Sequence, residues 1–352
     1  MSESLLLVKI LVLTTVSFMT AMAITPAFTH FLFKHKLGKT IRDTGETPIF
    51  SKMHQAKSGT PTMGGVIIWL TTLIIALIFL VISYIFPNSA VSSLNFLTRS
   101  QTLLPLGVFI ASALVGLIDD LFNVWKRGPN GGGIRFRYKF IIYSGIAIVG
   151  AWWFYSKLGW NIVHVPFWGN LELGFWFIPF FIFVVVATAF SVNQTDGLDG
   201  LAAGTSLVML GTLGVIAFAQ GRADLTAFTG VIIGALLAFL WFNIYPARFF
   251  MGDTGAISLG VTIAILSVFL HVAFLIPIIG FVFFWEGLTT IIQILSKKLR
   301  NGKKVFLSAP YHHHLEALGW PEPKIVMRIW VISGVFSVFG IIIYLLDTTY
   351  VV

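Results

Sequence analysis

Ten apolar runs divide the chain, each closed by a short stretch rich in glycine, proline or charge. They fall at residues 5–33, 64–86, 102–121, 139–156, 175–192, 201–219, 226–245, 255–270, 272–294 and 328–346. A hydrocarbon core ~30 Å thick needs about 20 helical residues per crossing. In lipid every backbone polar group must be paired inside the structure, and runs of this length are too long for barrel strands. The pattern therefore predicts an all-α membrane protein, a bundle of ten transmembrane helices forming one integral membrane domain over residues 1–352. The longest break, 295–327, is too short to bury much core of its own.

Composition sharpens this picture. With 57% hydrophobic residues, 11% charged residues and a mean hydropathy of +0.91, the chain is no ordinary soluble protein. The first run carries "TAMA", which resembles a signal-peptidase site. However, "MSES" before it lacks positive charge and the run continues through "FTHFLF", so the first helix is read as retained. With no cysteine there is no disulfide framework.

Charge sets the orientation. Of 23 lysines and arginines, only Lys9, Arg99, Lys157 and Arg222 fall on the side that carries the N-terminus. The opposite loops hold the others, including Lys34, Lys36, Lys39, Arg42, Lys52 and Lys57 before the second run and Lys126, Arg127, Arg135, Arg137 and Lys139 around the fourth. The positive-inside rule then puts both termini outside, in the periplasm if the membrane is a bacterial inner membrane. The net charge of +9 needs no nucleic acid to explain it, and a basic inner face suits an anionic substrate.

The acids are few and grouped. Asp119 and Asp120 close the third run, Asp196 and Asp199 lie in "NQTDGLDGLAAG", Asp253 lies in "FFMGDTG", and Glu286 sits inside the ninth run. The alternating topology brings these aspartates, His312, His313, His314 and "KSGTPTMGG" to one membrane face. Singly, each has an ordinary reading as a turn, a helix cap or a solvated loop. Charges near lipid cost a few kcal/mol each and mark functional paths or sites, so their convergence points to a site on the cytoplasmic face. Clustered carboxylates suit Mg²⁺ rather than zinc, and Mg²⁺ binds through one or two carboxylates plus substrate phosphates. Glycine-rich segments beside helix starts offer N–H groups to phosphate. The residues thus read as phosphoryl transfer at a membrane surface, with one lipid substrate and one soluble substrate.

In this order, "KSGTPTMGG", "LIDD", "NQTDGLDGLAAG", "FNIYPARFFMGDTG" and "APYHHHLEALGW" resemble the phospho-N-acetylmuramoyl-pentapeptide-transferase family, over residues 39–330. The resemblance implies ten helices in the bacterial inner membrane, often as a homodimer. It implies transfer of phospho-MurNAc-pentapeptide from UDP-MurNAc-pentapeptide to undecaprenyl phosphate with Mg²⁺, giving lipid I and UMP. By the same resemblance Asp253 is the magnesium ligand, and Asp119 and Asp120 handle the polyprenyl phosphate and the metal environment. Asn193, Asp196 and Asp199 lie around the diphosphate and nucleoside, Phe250 stacks on uracil with Lys57 nearby, and His312, His313 and His314 face the sugar-phosphate. The family's lysine three residues after its second aspartate is Asn123 here. A third helix continued past the aspartates would put 120, 123, 126 and 127 on one face, so Lys126 or Arg127 is expected to supply that charge.

A lipid phosphate, with a second pKa near ~6, is already largely dianionic at neutral pH, so deprotonation by an aspartate offers little. Direct attack on the β-phosphorus is therefore the favoured route, with an aspartyl-phosphate on Asp119 as the alternative. Two rival functions stand beside this one. A GlcNAc-1-phosphate transferase fits less well because "PTMGG" and unbroken "HHH" resemble the muramyl branch. A transporter should carry acids at the bilayer midplane of several spans, and only Glu286 comes close. An aspartate-rich prenyl synthase fails, since "DDLFN" lacks the third acid.

Overall fold

The computed structural model describes residues 3–38, 57, 59–127, 133–134 and 136–350. Lys39, Arg42, Lys52 and Arg135, assigned above to inner loops, lie outside the described residues, as do Ser58 of the glycine-rich stretch and the side chain of Arg137.

The chain is built of helices α1 (Glu3–Lys34), α2 (Val66–Ile85), α3 (Leu103–Val124) and α4 (Phe136–Trp152), then a hairpin of β1 (Ile162–Val165) and β2 (Gly169–Glu172). Helices α5 (Phe177–Thr195), α6 (Leu201–Ala219), α7 (Ala223–Asn243) and α8 (Asp253–Phe269) follow. The chain closes with α9 (Ile276–Ile279), α10 (Phe281–Leu299), α11 (Tyr311–Ala317) and α12 (Glu322–Tyr350). Among the described residues seven helices are long and apolar enough to cross a membrane: α1, α2, α3, α5 with its lead-in from Gly174, α6, α7 and α12. A bent pair makes an eighth if it is counted as one crossing. This is a multi-pass helical membrane protein.

Three elements differ from the sequence reading. The run at 272–294 is not one straight helix: Ala273–Ile279 and Phe281–Leu299 meet at 87°. The bend sits at Gly280, where α6 passes close: an added Cβ would lie 2.8 Å from Met209 Sδ, which would have to move aside. The fourth run forms α4 of 17 residues and then a π-helical turn, Trp153–Lys157. Between it and α5 lies an antiparallel hairpin pairing Ile162 with Glu172 and Val165 with Gly169, the two-stranded sheet of an otherwise helical protein among the described residues. Its alternating "NIVHV" is a strand signal hidden between two long apolar runs.

Helix α8 lies at the centre. It is buried from Thr254 to Phe269 and packs mainly against α3 and α5, as a helix apolar on all sides must. Small residues permit the close crossings: a Cβ on Gly260 would meet Ala189 Cα at 2.7 Å. Outer helices α1 and α12 instead expose leucine, valine and phenylalanine, including Leu5, Leu11, Val331 and Phe339. At one end of the bundle Lys9 Nζ donates to Asn95 O (2.8 Å) and pairs with Asp224 (3.4 Å) at the start of α7. At that same end Gln220 Nε2 donates to Leu270 O (2.8 Å), and Asp347 Oδ2 pairs with His164 Nε2 (2.6 Å). Both ends of the described chain therefore lie there, and the C-termini of α3, α5 and α7 with the N-terminus of α8 gather at the opposite end.

Candidate active site

At that opposite end, Asp119 and Asp120 occupy the last turns of α3, and both are buried, at 1% and 4% exposure. They face different partners. Asp120 Oδ1 accepts the N–H of Asp253 (3.1 Å) and Oδ2 that of Thr254 (3.0 Å), so α3 caps the N-terminus of α8 from outside. The residue before α8 is Gly252, at φ 75°, which has no side chain to cap with. Thr254 is fixed further by its hydroxyl, which donates to Ala113 O (2.8 Å) and accepts from Trp69 Nε1 (3.1 Å).

Asp119 looks the other way, toward Asp253. The Lys139 ammonium bridges them, paired with Asp119 Oδ2 and Asp253 Oδ2. Asn193 Nδ2, in the last turn of α5, donates to Asp253 Oδ1 at 2.8 Å. Asp119 Oδ1 accepts the Ile134 N–H at 2.5 Å, and Asn123 Nδ2 donates back to Asp119 O at 3.1 Å. Four helices thus deliver two carboxylates, one ammonium and one carboxamide to a single spot.

Sequence reasoning missed Lys139 and looked for this charge at Lys126 or Arg127. The expected continuation of α3 does not occur. The helix ends at Val124, Lys126 has φ 55°, and Arg127 lies 5.6 Å over the Trp125 ring with both basic residues exposed. The cation comes instead from the first turn of α4. In the sequence it is only a lysine at the start of an apolar run, which does not set it apart from a topology anchor.

A second cluster adjoins the first. Lys57 Nζ pairs with Asp199 Oδ1 and Glu322 Oε1, each at 2.6 Å, and lies 5.9 Å from the Phe250 ring centre and 5.8 Å from that of Tyr245. Asp199 Oδ2 accepts the Ala247 N–H (3.0 Å), which ties the 196–200 loop to the 245–250 loop. Asn243 reinforces the tie, accepting from Gly200 N (3.0 Å) and donating to Phe249 O (2.9 Å). Asp196 is half-buried just past α5. Glu322 and Tyr245 carried no sequence signal beyond their residue type.

The histidines separate by role. His312 Nδ1 contacts Glu286 Oε2 (3.1 Å), and the same oxygen accepts the His312 N–H (3.3 Å), so the acid inside α10 is paired. His312 Nε2 is buried without a hydrogen-bond partner among the described residues, and it lies against Gly197 of the acidic loop. His313 Nδ1 contacts Glu316 Oε2 at 2.6 Å, and its Nε2 also faces Gly197. His314 turns away, accepting the Leu307 N–H (3.2 Å) beside Phe306.

The glycine-rich stretch is corrected as well. Gly64 N donates to Phe250 O and Gly65 N to Met251 O, both at 2.8 Å. A Cβ on Gly65 would run into the backbone of Gly255, and one on Gly64 into the Phe249 ring. These glycines serve close packing of α2 on the start of α8, and so set the Phe250–Asp253 loop in place.

Among the described residues no three His, Cys, Asp or Glu side chains converge as a metal-binding group. The donor set is a pair of carboxylates near enough to share one cation, which fits Mg²⁺ completed by substrate phosphates and does not fit a structural zinc site.

Two carboxylates sharing a lysine at one end of a multi-pass helical bundle form a site suited to an anionic substrate at a membrane surface. In keeping with that, the family model described as glycosyl transferase family 4 matches residues 102–271, and one described as phospho-N-acetylmuramoyl-pentapeptide-transferase signature 1 matches residues 57–68. A phospho-N-acetylmuramoyl-pentapeptide-transferase of Chloroflexus aggregans is 37% identical over 345 residues, covering 95% of this chain and 89% of the relative. One from a Geobacillus species is 38% identical over 331 residues, covering 93% and 95%. One from a Thermoanaerobacter species is 36% identical over 328 residues, covering 93% and 96%. The chain belongs to the phospho-N-acetylmuramoyl-pentapeptide-transferase family.

Proposed function

We propose that this protein transfers phospho-MurNAc-pentapeptide from UDP-MurNAc-pentapeptide to undecaprenyl phosphate, giving lipid I and UMP. The observation that carries the chemistry is the Asp119–Lys139–Asp253 cluster, set beside Lys57, Asp199 and Phe250 at one end of the bundle. That end faces the cytoplasm of a bacterial inner membrane, with ten passes and both termini periplasmic. The alternating direction of α1 through α8, with α9 and α10 as one broken pass and α12 as the last, and the excess of basic residues at the site end support this arrangement. The working unit is a homodimer, as the family resemblance implies.

Asp253 and Asp119 would hold Mg²⁺ between them, which when bound supplies charge neutralisation for two phosphate-bearing substrates. Lys139, seated between the two carboxylates, also presents its ammonium to a phosphoryl oxygen bound beside them. Phe250 offers a ring for the uracil base, with the Lys57 ammonium 5.9 Å from its centre and Asp199 paired to that ammonium. His312 and His313 stand across the 196–200 loop, toward the sugar-phosphate. Asp120 stays on the α8 backbone and keeps Asp253 in place.

The route is a single displacement. Both Asp119 oxygens are engaged, one by Lys139 and one by Ile134 N, which disfavours that carboxylate as a nucleophile. The lipid phosphate attacks the β-phosphorus and UMP leaves. Two assays test the reading. Purified protein in detergent should consume UDP-MurNAc-pentapeptide and leave UDP-GlcNAc untouched, and a chiral β-phosphorus should invert. Preference for UDP-GlcNAc would transfer the assignment to the sister GlcNAc-1-phosphate branch, and retention would restore the aspartyl-phosphate.

A further inference from the structure

Tyr143 follows Lys139 by four residues, one helical turn, on the inward face of α4. That face continues through buried Ala147 and Ala151, whereas Phe140 and Ile141 point outward and are exposed. Tyr143 itself is 6% exposed, and its hydroxyl has no hydrogen-bond partner among the described residues. The charges of Asp253, Lys139, Asp119 and Asp120 all act on it.

A buried hydroxyl with no partner is destabilising, and a phenylalanine would fill the same space without that cost. The carboxylates nearby are already engaged. Asn193 and Lys139 take the two oxygens of Asp253, Ile134 N and Lys139 those of Asp119, and the α8 backbone those of Asp120. A donor therefore faces the cluster and lacks an acceptor. Substrate would bring one.

We propose that Tyr143 is a further substrate-binding residue, whose hydroxyl donates a hydrogen bond to a phosphoryl oxygen seated beside Lys139. The inference rests on the phosphoryl-transfer reading above. The phosphoryl oxygen belongs either to the polyprenyl phosphate or to the diphosphate of the nucleotide sugar, and the test separates the two.

Tyr143→Phe removes only the hydroxyl. Its Tm in detergent should equal or exceed that of the parent, because an unsatisfied group is gone. Its kcat/KM should fall by about tenfold or more, the usual effect of losing a hydrogen bond to a charged group. A fall confined to the lipid substrate's kcat/KM assigns the bond to the polyprenyl phosphate, and one confined to the nucleotide assigns it to the diphosphate. Binding of UDP and of undecaprenyl phosphate, measured without turnover, reads the same bond even if the parent shows no transfer. In that case the reaction assignment fails while Tyr143 is still tested. Binding of both probes within twofold of the parent would overturn the proposal, and so would a loss of Tm that accompanies the loss of activity.

Discussion

Asp120 Oδ2 accepts the backbone N–H of Thr254 at 3.0 Å, so the second acid of the "DD" pair caps a helix that is remote in sequence. Truncating it to alanine strands two buried N–H groups at the positive end of α8. Asp120→Ala is expected to destabilise the protein by about 1–3 kcal/mol. Thermal unfolding in detergent measures this, and turnover should fall with it because Asp253 loses its anchored backbone. An unchanged Tm would show that the cap is dispensable.

Lys139 is the cation that Asp119 and Asp253 share. Lys139→Met leaves two carboxylates facing each other without their counter-charge. The variant is expected to lose about a hundredfold in kcat/KM, roughly 2.7 kcal/mol of transition-state stabilisation. Lys126→Ala and Arg127→Ala, which alter exposed residues beyond the end of α3, should stay within about twofold of the parent. Parallel steady-state kinetics on the three variants decide the matter; the reverse ranking would return the role to the positions first expected from helical spacing.

That contrast shows what the sequence made legible. The membrane class, the long apolar spans and the acids of the site could be read from run length and from the cost of charge near lipid, which leave conspicuous marks. Lys139 could not, because a lysine at the edge of a span on the positive face is indistinguishable from a topology anchor until α4 is docked against α3. Gly64 and Gly65 suggested phosphate access but serve packing, since the clash they avoid is with Phe249 and Gly255, nearly 200 residues away in sequence. The 87° break at Gly280 escaped for the same reason: a glycine within an apolar run gives no sign of whether a neighbouring helix will cross there.

Glu286 is 1% exposed and accepts from both the backbone and the ring of His312. Removing the carboxylate leaves the buried His312 N–H and ring nitrogen without an acceptor, at a cost of about 1–3 kcal/mol for each group left unsatisfied. Glu286→Ala should therefore lower thermal stability markedly, and Glu286→Gln, which keeps an acceptor, should lower it much less. Equal losses in the two variants would mean that the hydrogen bonds to His312 do not stabilise the fold.

At the far end of the bundle, His271 lies in the connection after α8, with Trp160 stacked on it at 4.5 Å. Burial, with the charges of Arg222 and His164, pushes its pKa below 6.5. A group held neutral in the folded state binds fewer protons there than in the unfolded chain, so stability rises with pH across this window. Its contribution is complete above pH 6.5 and is lost as pH falls below that value toward the folded-state pKa. The Tm should drop between pH 7.5 and 5.5, and His271→Phe should flatten the drop. An identical pH profile in the variant would assign the sensitivity elsewhere.

The central claim is that the carboxylates gathered around Lys139 are where the phosphoryl group is transferred. Release of UMP from UDP-MurNAc-pentapeptide in the presence of undecaprenyl phosphate, followed for the parent and for Asp253→Asn at matched Tm, tests it most directly. The account predicts lipid I and UMP in equal amounts from the parent, and almost none from the variant at any Mg²⁺ concentration. Near-parental UMP release from Asp253→Asn would contradict it and place the reaction away from this cluster.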